Sequence, residues 1–385
     1  MKRTCVLALL IAVACGPKDS VIDVSKIIKE KYEIKVVDER TAGSLSLDSL
    51  LEIKSIVKME TTSDPNSLLV DFSKVIIVDS TMIVLDGTFS GLKVFDKKGR
   101  FIKLIGSIGQ GPGEYIGLND FEVKHDTIRA LTKNQQLIEY DLHGNYLDTK
   151  RIDMFAWNFA STKSGYVFFR NYNVESKDGA SFNLITTDRK FNILSSGAPF
   201  FERAEDVPTF GYTGFLSSEN DEIMFSEAFS SYVCTFEGDS LYRKYIIDFG
   251  ANKKPDDLTL AEIHTKGLDP AHLDTRIFEI KDLVFFKYFI APRLSLGIFD
   301  KKSKIFYPSS KFNTESYLSS ILSTPNARID SNTFIVILPL DLILYLQKDE
   351  KYMKLVKEQN QELYTIVSGY TSNDNPLVIT FSILE

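Results

Sequence analysis

The chain has 385 residues, 44% of them hydrophobic and 25% charged, with a formal net charge of −7. That length admits two average domains or one large repeat fold, the composition excludes a disordered chain, and the acidic balance excludes a nucleic-acid footprint. The aromatic set of 28 Phe and 17 Tyr against a single Trp suits pleated, half-buried surfaces and so points to β structure.

At the N-terminus, MKRTCVLALLIAVAC carries two cations, an apolar run from Val6 to Val13, then Ala14 and Cys15. The run is too short to span a bilayer. Ala12-Val13-Ala14-Cys15 resembles the bacterial lipobox, with Ala12 where Leu is commoner. The resemblance implies removal of residues 1–14, lipidation of the Cys15 thiol and acylation of the new amine. Several acyl chains together anchor stably where one is marginal. Residues 15–48 read as a tether and N-terminal segment, polar from Gly16 to Ser20. Cys5 leaves with the leader and Cys15 carries lipid, so Cys234 has no internal disulfide partner. Within the strand-like SYVCTF it reads as a small buried hydrophobe.

From 49 to 385 one hairpin pattern recurs: an apolar strand, a polar turn with Asp, Gly or Lys, and a second apolar strand. It is seen in LKVFDKKGRFIKLIG (92–106), LIEYDLHGNYLDTKRI (137–152), LITTDRKFNILSSG (184–197), YVCTFEGDSLYRKYIIDFG (232–250), LGIFDKKSKIFYP (296–308) and LILYLQKDEKYMKL (342–355). Each copy follows a run rich in β-branched or aromatic residues: MIVLD, TIRALT, GYVFFR, EIMFSE, LVFFKY and TFIVIL. These runs lack strict alternation, as expected of strands buried on both faces, and are assigned to the axis of a ring. A buried strand plus a more polar hairpin at a fixed period is the pattern of a propeller blade. The predicted fold is an all-β, six-bladed β-propeller over 49–385 with short helical insertions. LEIKSIVKMETT (51–62) and PLVITFSIL (376–384) are spare strands predicted to close the ring in one shared blade. Helices are expected in 349–367, where Leu355, Gln359 and Leu363 have helical spacing, and in 254–282, beginning near Pro255, Asp256 and Asp257.

The glycine-rich stretch GSIGQGPGEY (106–115) falls between FIKLIG and DTIRAL, where the chain must cross from the rim of one blade to the next. A phosphate loop would need Gly-Lys-Ser/Thr; Gly113 is followed by Glu114 and Tyr115, and Glu114 would repel an anion. The spacing of Gly109, Gly111 and Gly113 also misses the dinucleotide fingerprint.

GSIGQGPGEY, LNDFEV, DTIRAL and IEYDLHGNYL together resemble the NHL-type blade. More broadly, IVKMETT (56–62), GQGPGEY, YIIDFGANKKPDDL (245–258) and DNPLVITFSIL (374–384) are similar to an NHL-like family of six-bladed β-propeller lipoproteins of Gram-negative bacteria. The resemblance covers nearly all of the mature chain. It implies an exported, lipid-anchored protein of the cell envelope, at the outer membrane, and says little of function. Arg129 departs from the pattern, which has an apolar or aromatic residue there.

None of His125, His143, His264 and His272 forms a ligand pair at metal spacing, and no G-x-S-x-G elbow occurs. Polar groups at the ends of the presumed axial strands are the candidate ligand-binding residues: Arg129, Arg170, Asn171, Tyr172, Glu227, Lys287 and Tyr288. Rings combined with charged donors suit a sugar or an acidic peptide; the bland alternative is that they bond between blades. Two functions follow. One is a non-catalytic, monomeric envelope module that binds a protein or glycan, reaches the membrane through its lipid and needs no cofactor. The other is a metal-assisted lactonase, lyase or glycan-cleaving enzyme with calcium or zinc on the axis, where Asn119, Asp120 and Glu227 would approach.

Overall fold

The computed structural model describes residues 20–22, 32–36, 44–87, 91–173, 181–200, 214–219, 222–237, 240–274 and 276–384; the leader and Cys15 lie outside them. Six small sheets follow one another along the chain and form a six-bladed β-propeller. Blade 1 comprises Lys74–Val78, Thr81–Asp86, Gly91–Asp96 and Phe101–Ile105. Blade 2 comprises Leu118–Lys124, Thr127–Thr132, Gln136–Asp141 and Tyr146–Arg151. In blade 3 the strands are Asn158–Ser161, Gly165–Phe169, Ser181–Asp188 and Ile193–Phe200, and in blade 4 Phe215–Glu219, Glu222–Ser226, Tyr232–Glu237 and Ser240–Asp248. Blade 5 splits its first strand into His272–Leu273 and Phe278–Ile280, followed by Leu283–Ile290, Arg293–Asp300 and Ile305–Pro308. Blade 6 runs Ala327–Arg328, Thr333–Leu338, Leu377–Ile383 and finally Leu51–Lys58.

The first strand of each blade, not the second, rings the axis. Lys74–Val78 lies beside Leu118–Lys124, Leu118–Lys124 beside Asn158–Ser161, Asn158–Ser161 beside Phe215–Glu219, and Ala327–Arg328 beside Lys74–Val78. The runs assigned to the axis from sequence, such as MIVLD and TIRALT, are therefore second strands. Their burial has a different cause: a second strand is covered by the neighbouring blades on both faces, whereas an axial strand borders an open cavity. In blade 1 only Val75 of the first strand is buried, against every residue of the second strand after Thr81.

Closure is as expected. Leu51–Lys58 pairs antiparallel with Leu377–Ile383, placing Ile56 opposite Ile379. Ring packing continues between blades: Phe334 stacks on Phe381 at 5.5 Å and meets Phe285 of blade 5 at 5.4 Å. Asn375 side-chain groups bond Leu69 N, Glu60 O and Ser67 O at 2.6–2.8 Å, fastening the segment that leads into blade 1.

The sixth hairpin, LILYLQKDEKYMKL, is not a hairpin. It folds as helices Leu340–Leu346 and Glu350–Gln359, with Gln361–Ser368 following. Asp349 accepts from Tyr352 N and Asn360 from Leu363 N, so each later helix starts on a side-chain cap. Ile343, Leu346, Tyr352, Val356, Leu363 and Val367 present one buried side to the core. The third strand of blade 6 is instead Leu377–Ile383. The other insertion is helical only over Leu260–Thr265, after a capping box of Thr259 and Glu262 rather than at Pro255. Its Leu260 and Ile263 pack on Tyr172, Phe200 and Phe229, over blades 3 and 4.

The N-terminal segment is partly built into the ring. Ser20–Ile22 pairs in parallel with the last strand of blade 3, and Tyr32–Lys35 with the last strand of blade 4. Leu45 then bridges Phe312. These pairings cover sheet edges that would otherwise offer unpaired backbone groups, and Ile34 and Val36 are buried between blades 4 and 5.

Candidate functional site

At the end of the ring where first strands begin and second strands finish, residues from all six blades enclose a cavity of about 580 Å³. Lys74 of blade 1 pairs with Asp120 of blade 2 at 2.8 Å. Asp120 is buried, and it also accepts from Phe121 N and from Phe159 N of blade 3. Its neighbour Asn119 donates to Ala156 O at 3.0 Å. Blade 3 supplies Trp157, the sole Trp of the chain, 43% exposed and fixed by its backbone N–H to Phe169 O at 2.7 Å. From blade 5 come Asp274, Arg276 and Lys287, with Arg276 donating to Asn326 O of the run leading into blade 6 at 2.6 Å. Asn326 Oδ1 in turn accepts from Ile337 N, which holds that wall to the second strand. Lys133 completes the charged set, so four cations face two carboxylates on a chain that is acidic overall. A ring-bearing anion would find both a stacking platform and charge-assisted donors here.

Of the residues picked from sequence, Lys287 lines this cavity. Its neighbour Tyr288 points the other way and packs on Phe286 and Phe306 in the core. Successive strand residues face opposite sides, so these two could not both reach the axis. Arg129 is on the far side of blade 2, bonded to Glu139 at 2.9 Å and Glu122 at 3.1 Å. Glu122 accepts from Ser161 of blade 3, so this group ties two blades together.

Arg170, Asn171, Tyr172 and Glu227 follow the ends of the second strands of blades 3 and 4 and are not part of the axial cavity's lining. Asn171 and Tyr172 take positive φ, and Tyr172 N donates to Asn183 Oδ1 while its hydroxyl accepts from Ala228 N. Glu227 accepts from Asn183 at 3.4 Å and Tyr232 at 3.5 Å, and burial pushes its carboxyl above the ordinary value. It does not meet Asn119 and Asp120, whose polar atoms are engaged as above. Among the described residues no three His, Cys, Asp or Glu side chains converge. Cys234 is buried, and desolvation pushes its thiol up to about 12, as befits a packing residue.

The glycine-rich connector is a self-contained turn. Ser107–Ile108 pairs with Glu114–Tyr115, and the Glu114 carboxylate accepts from Gly111 N at 2.8 Å, filling the place an anion would take. Tyr115 donates to Ile105 O and Tyr140 to Gly113 O, both at 2.8 Å.

Asn119 and Asp120, expected near the axis as metal-site residues, do line the cavity, whereas Lys74, Lys133, Trp157, Asp274 and Arg276 are not among the sequence candidates. Their signal is positional: they stand at the start of first strands or the end of second ones, and it appears only once the strand order is known.

The profile of a domain of unknown function, DUF4934, matches residues 30–382. Among curated proteins, none matches the chain. A Bacteroides fragilis protein described as a candidate exported protein has 16% identity and a TM-score of 0.69, covering 95% of this chain and 100% of its own. A DUF4221 member from Bacteroides vulgatus has 9% identity and a TM-score of 0.50, covering 88% of this chain and 99% of its own. Both likenesses concern the fold.

Proposed function

This chain belongs to the DUF4934 family, and we propose that it is an exported, lipid-anchored propeller of the cell envelope that binds an acidic glycan in its axial cavity without converting it. The observation that carries the reading is the sole Trp, half exposed, at a cavity whose charged lining is mainly cationic. Trp157 offers a face to a sugar ring, and Lys133, Arg276 and Lys287 offer donors to carboxylates. The AVAC motif supports lipidation at Cys15 and an outer-membrane site, and GQGPGEY supports the NHL-like assignment. The candidate exported protein of B. fragilis is consistent with export here.

Because Trp157 is the only indole, its emission reports binding directly. Titration with uronic-acid oligosaccharides is expected to give a saturable change, absent with neutral oligosaccharides of the same length. Lys287→Ala should weaken binding about 10-fold or more, the size of a charged hydrogen bond. Equal binding of the neutral sugars would overturn the reading. Appearance of shorter products would replace it with the enzymatic one, and binding lost on chelation would add calcium at the axis.

A further inference from the structure

The face opposite the axial cavity holds a second cavity, of about 470 Å³, whose charged lining is of one sign. Lys124, Arg129, Lys163 and Arg189 surround it together with His125, and no carboxylate takes part in the lining. These residues come from the far-face turns of blades 2 and 3. Arg129 is held from behind by Glu122 and Glu139, while Lys163, Arg189 and His125 are exposed. Exposed Asp126 flanks the site without lining it.

The path of the N-terminal segment gives this cavity a context. Second strands end at the axial cavity, and fourth strands run in the same direction, so a segment parallel to a fourth strand rises from the far face. Ser20–Ile22 is such a segment, pairing with Ser195 to Gly197 of blade 3. Ser195 lies just beyond the far-face turn that carries Arg189. Cys15 stands five residues before Ser20, a reach of at most about 18 Å when extended. A lipid on Cys15 therefore holds the bilayer close to the far-face edge of blade 3. The opposite, axial face carries the helical insertions at 260–265 and 340–368, which stand off the ends of the strands.

We propose that the cavity formed by Lys124, Arg129, Lys163 and Arg189 receives phosphate headgroups of the bilayer in which the Cys15 lipid is embedded, so that the propeller sits on its far face and its axial cavity opens away from the membrane. The inference rests on the lipid-anchor reading. Basic groups near an anionic bilayer each add attraction over a short distance, and the anchor keeps them within that distance.

Fluorescence energy transfer tests it, with the full lipidated protein reconstituted in phosphatidylethanolamine and phosphatidylglycerol vesicles containing a dansyl-headgroup lipid. Trp157 is the donor near the axial cavity; a W157F/K190W variant moves the donor to the far-face turn of blade 3. Transfer from residue 190 should exceed that from Trp157 several-fold, and K163E/R189E, at two exposed positions, should narrow the gap. Transfer from Trp157 equal to or above that from residue 190 would overturn the orientation while leaving the anchor standing. Failure of the protein to associate with vesicles at all would refute the anchor and the inference together. A melting temperature raised by inorganic phosphate without vesicles, and lost in K163E/R189E, would make the cavity a soluble-anion site instead.

Discussion

Asp86 and Lys93 form an ion pair at 2.7 Å in blade 1, with side chains 0% and 2% exposed. Lys93 also donates to Leu68 O, and Asp86 accepts from Val70 N at 3.3 Å. The pair therefore pins residues 68–70, just before Phe72 and Lys74 at the axial cavity. Lys93→Met keeps the volume and removes the cation, leaving a buried carboxylate without its main partner. Loss of one member of a buried pair costs about 3–5 kcal/mol. For a propeller of this length the unfolding entropy is about 0.7 kcal/mol/K, so the melting temperature should fall by about 4–7 °C. The double variant Asp86→Asn, Lys93→Met removes both charges and should recover about half of the loss. Differential scanning calorimetry of wild type, the two single variants and the double variant closes the cycle. A Lys93→Met protein melting within 2 °C of wild type, or single effects that simply add, would refute the assignment.

Burial raises the Glu227 carboxyl despite the opposing Asn183 and Tyr232 bonds. A raised folded-state pKa means stability is complete below the unfolded value and declines as pH rises through the folded one; Glu227→Gln should raise the melting temperature at neutral pH and leave it unchanged at acid pH, and the opposite order would contradict the burial argument. Gly106 has φ +69°, and an added Cβ would meet Tyr115 and Tyr140 at 2.6 Å, so Gly106→Ala should cost about 2 kcal/mol or more in urea unfolding. Gly111→Ala, where the nearest atom is the Glu114 carboxylate at 3.1 Å, should cost much less, and equal costs would remove the special role of Gly106. Asn375→Ala strips Leu69 N, Glu60 O and Ser67 O of their partner and should destabilise by about 3 kcal/mol or more; a near-neutral result would show that closure does not depend on it.

The blade period was legible because it rests on local turn chemistry, the count of six because six apolar runs recur, and the shared closing blade because one apolar strand is left over at each end of the repeats. Asp96, Asp141 and Asp188 each accept backbone N–H groups within their own hairpins, so these turns form wherever the chain goes. Cys234 and the connector at Gly106 were readable for the same reason. LILYLQKDEKYMKL misled because an apolar run of that length suits a strand or a helix, and the caps at Asp349 and Asn360 decide between them.

The strand order within a blade was not local information. Burial alone cannot distinguish a strand between two neighbouring blades from one on the axis, and the more apolar strand proves to be the second. The candidate site moved with that choice. Arg129 became a tie between blades and a wall of the far-face cavity, Tyr288 became core, and Lys287 stayed at the axis. By itself the sequence determined the repeat and the turns, both of which depend on residues close along the chain. Only the tertiary structure decided that Lys74, Lys133, Trp157, Arg276 and Lys287 share one cavity, because those residues lie on four different blades and meet only when the ring closes.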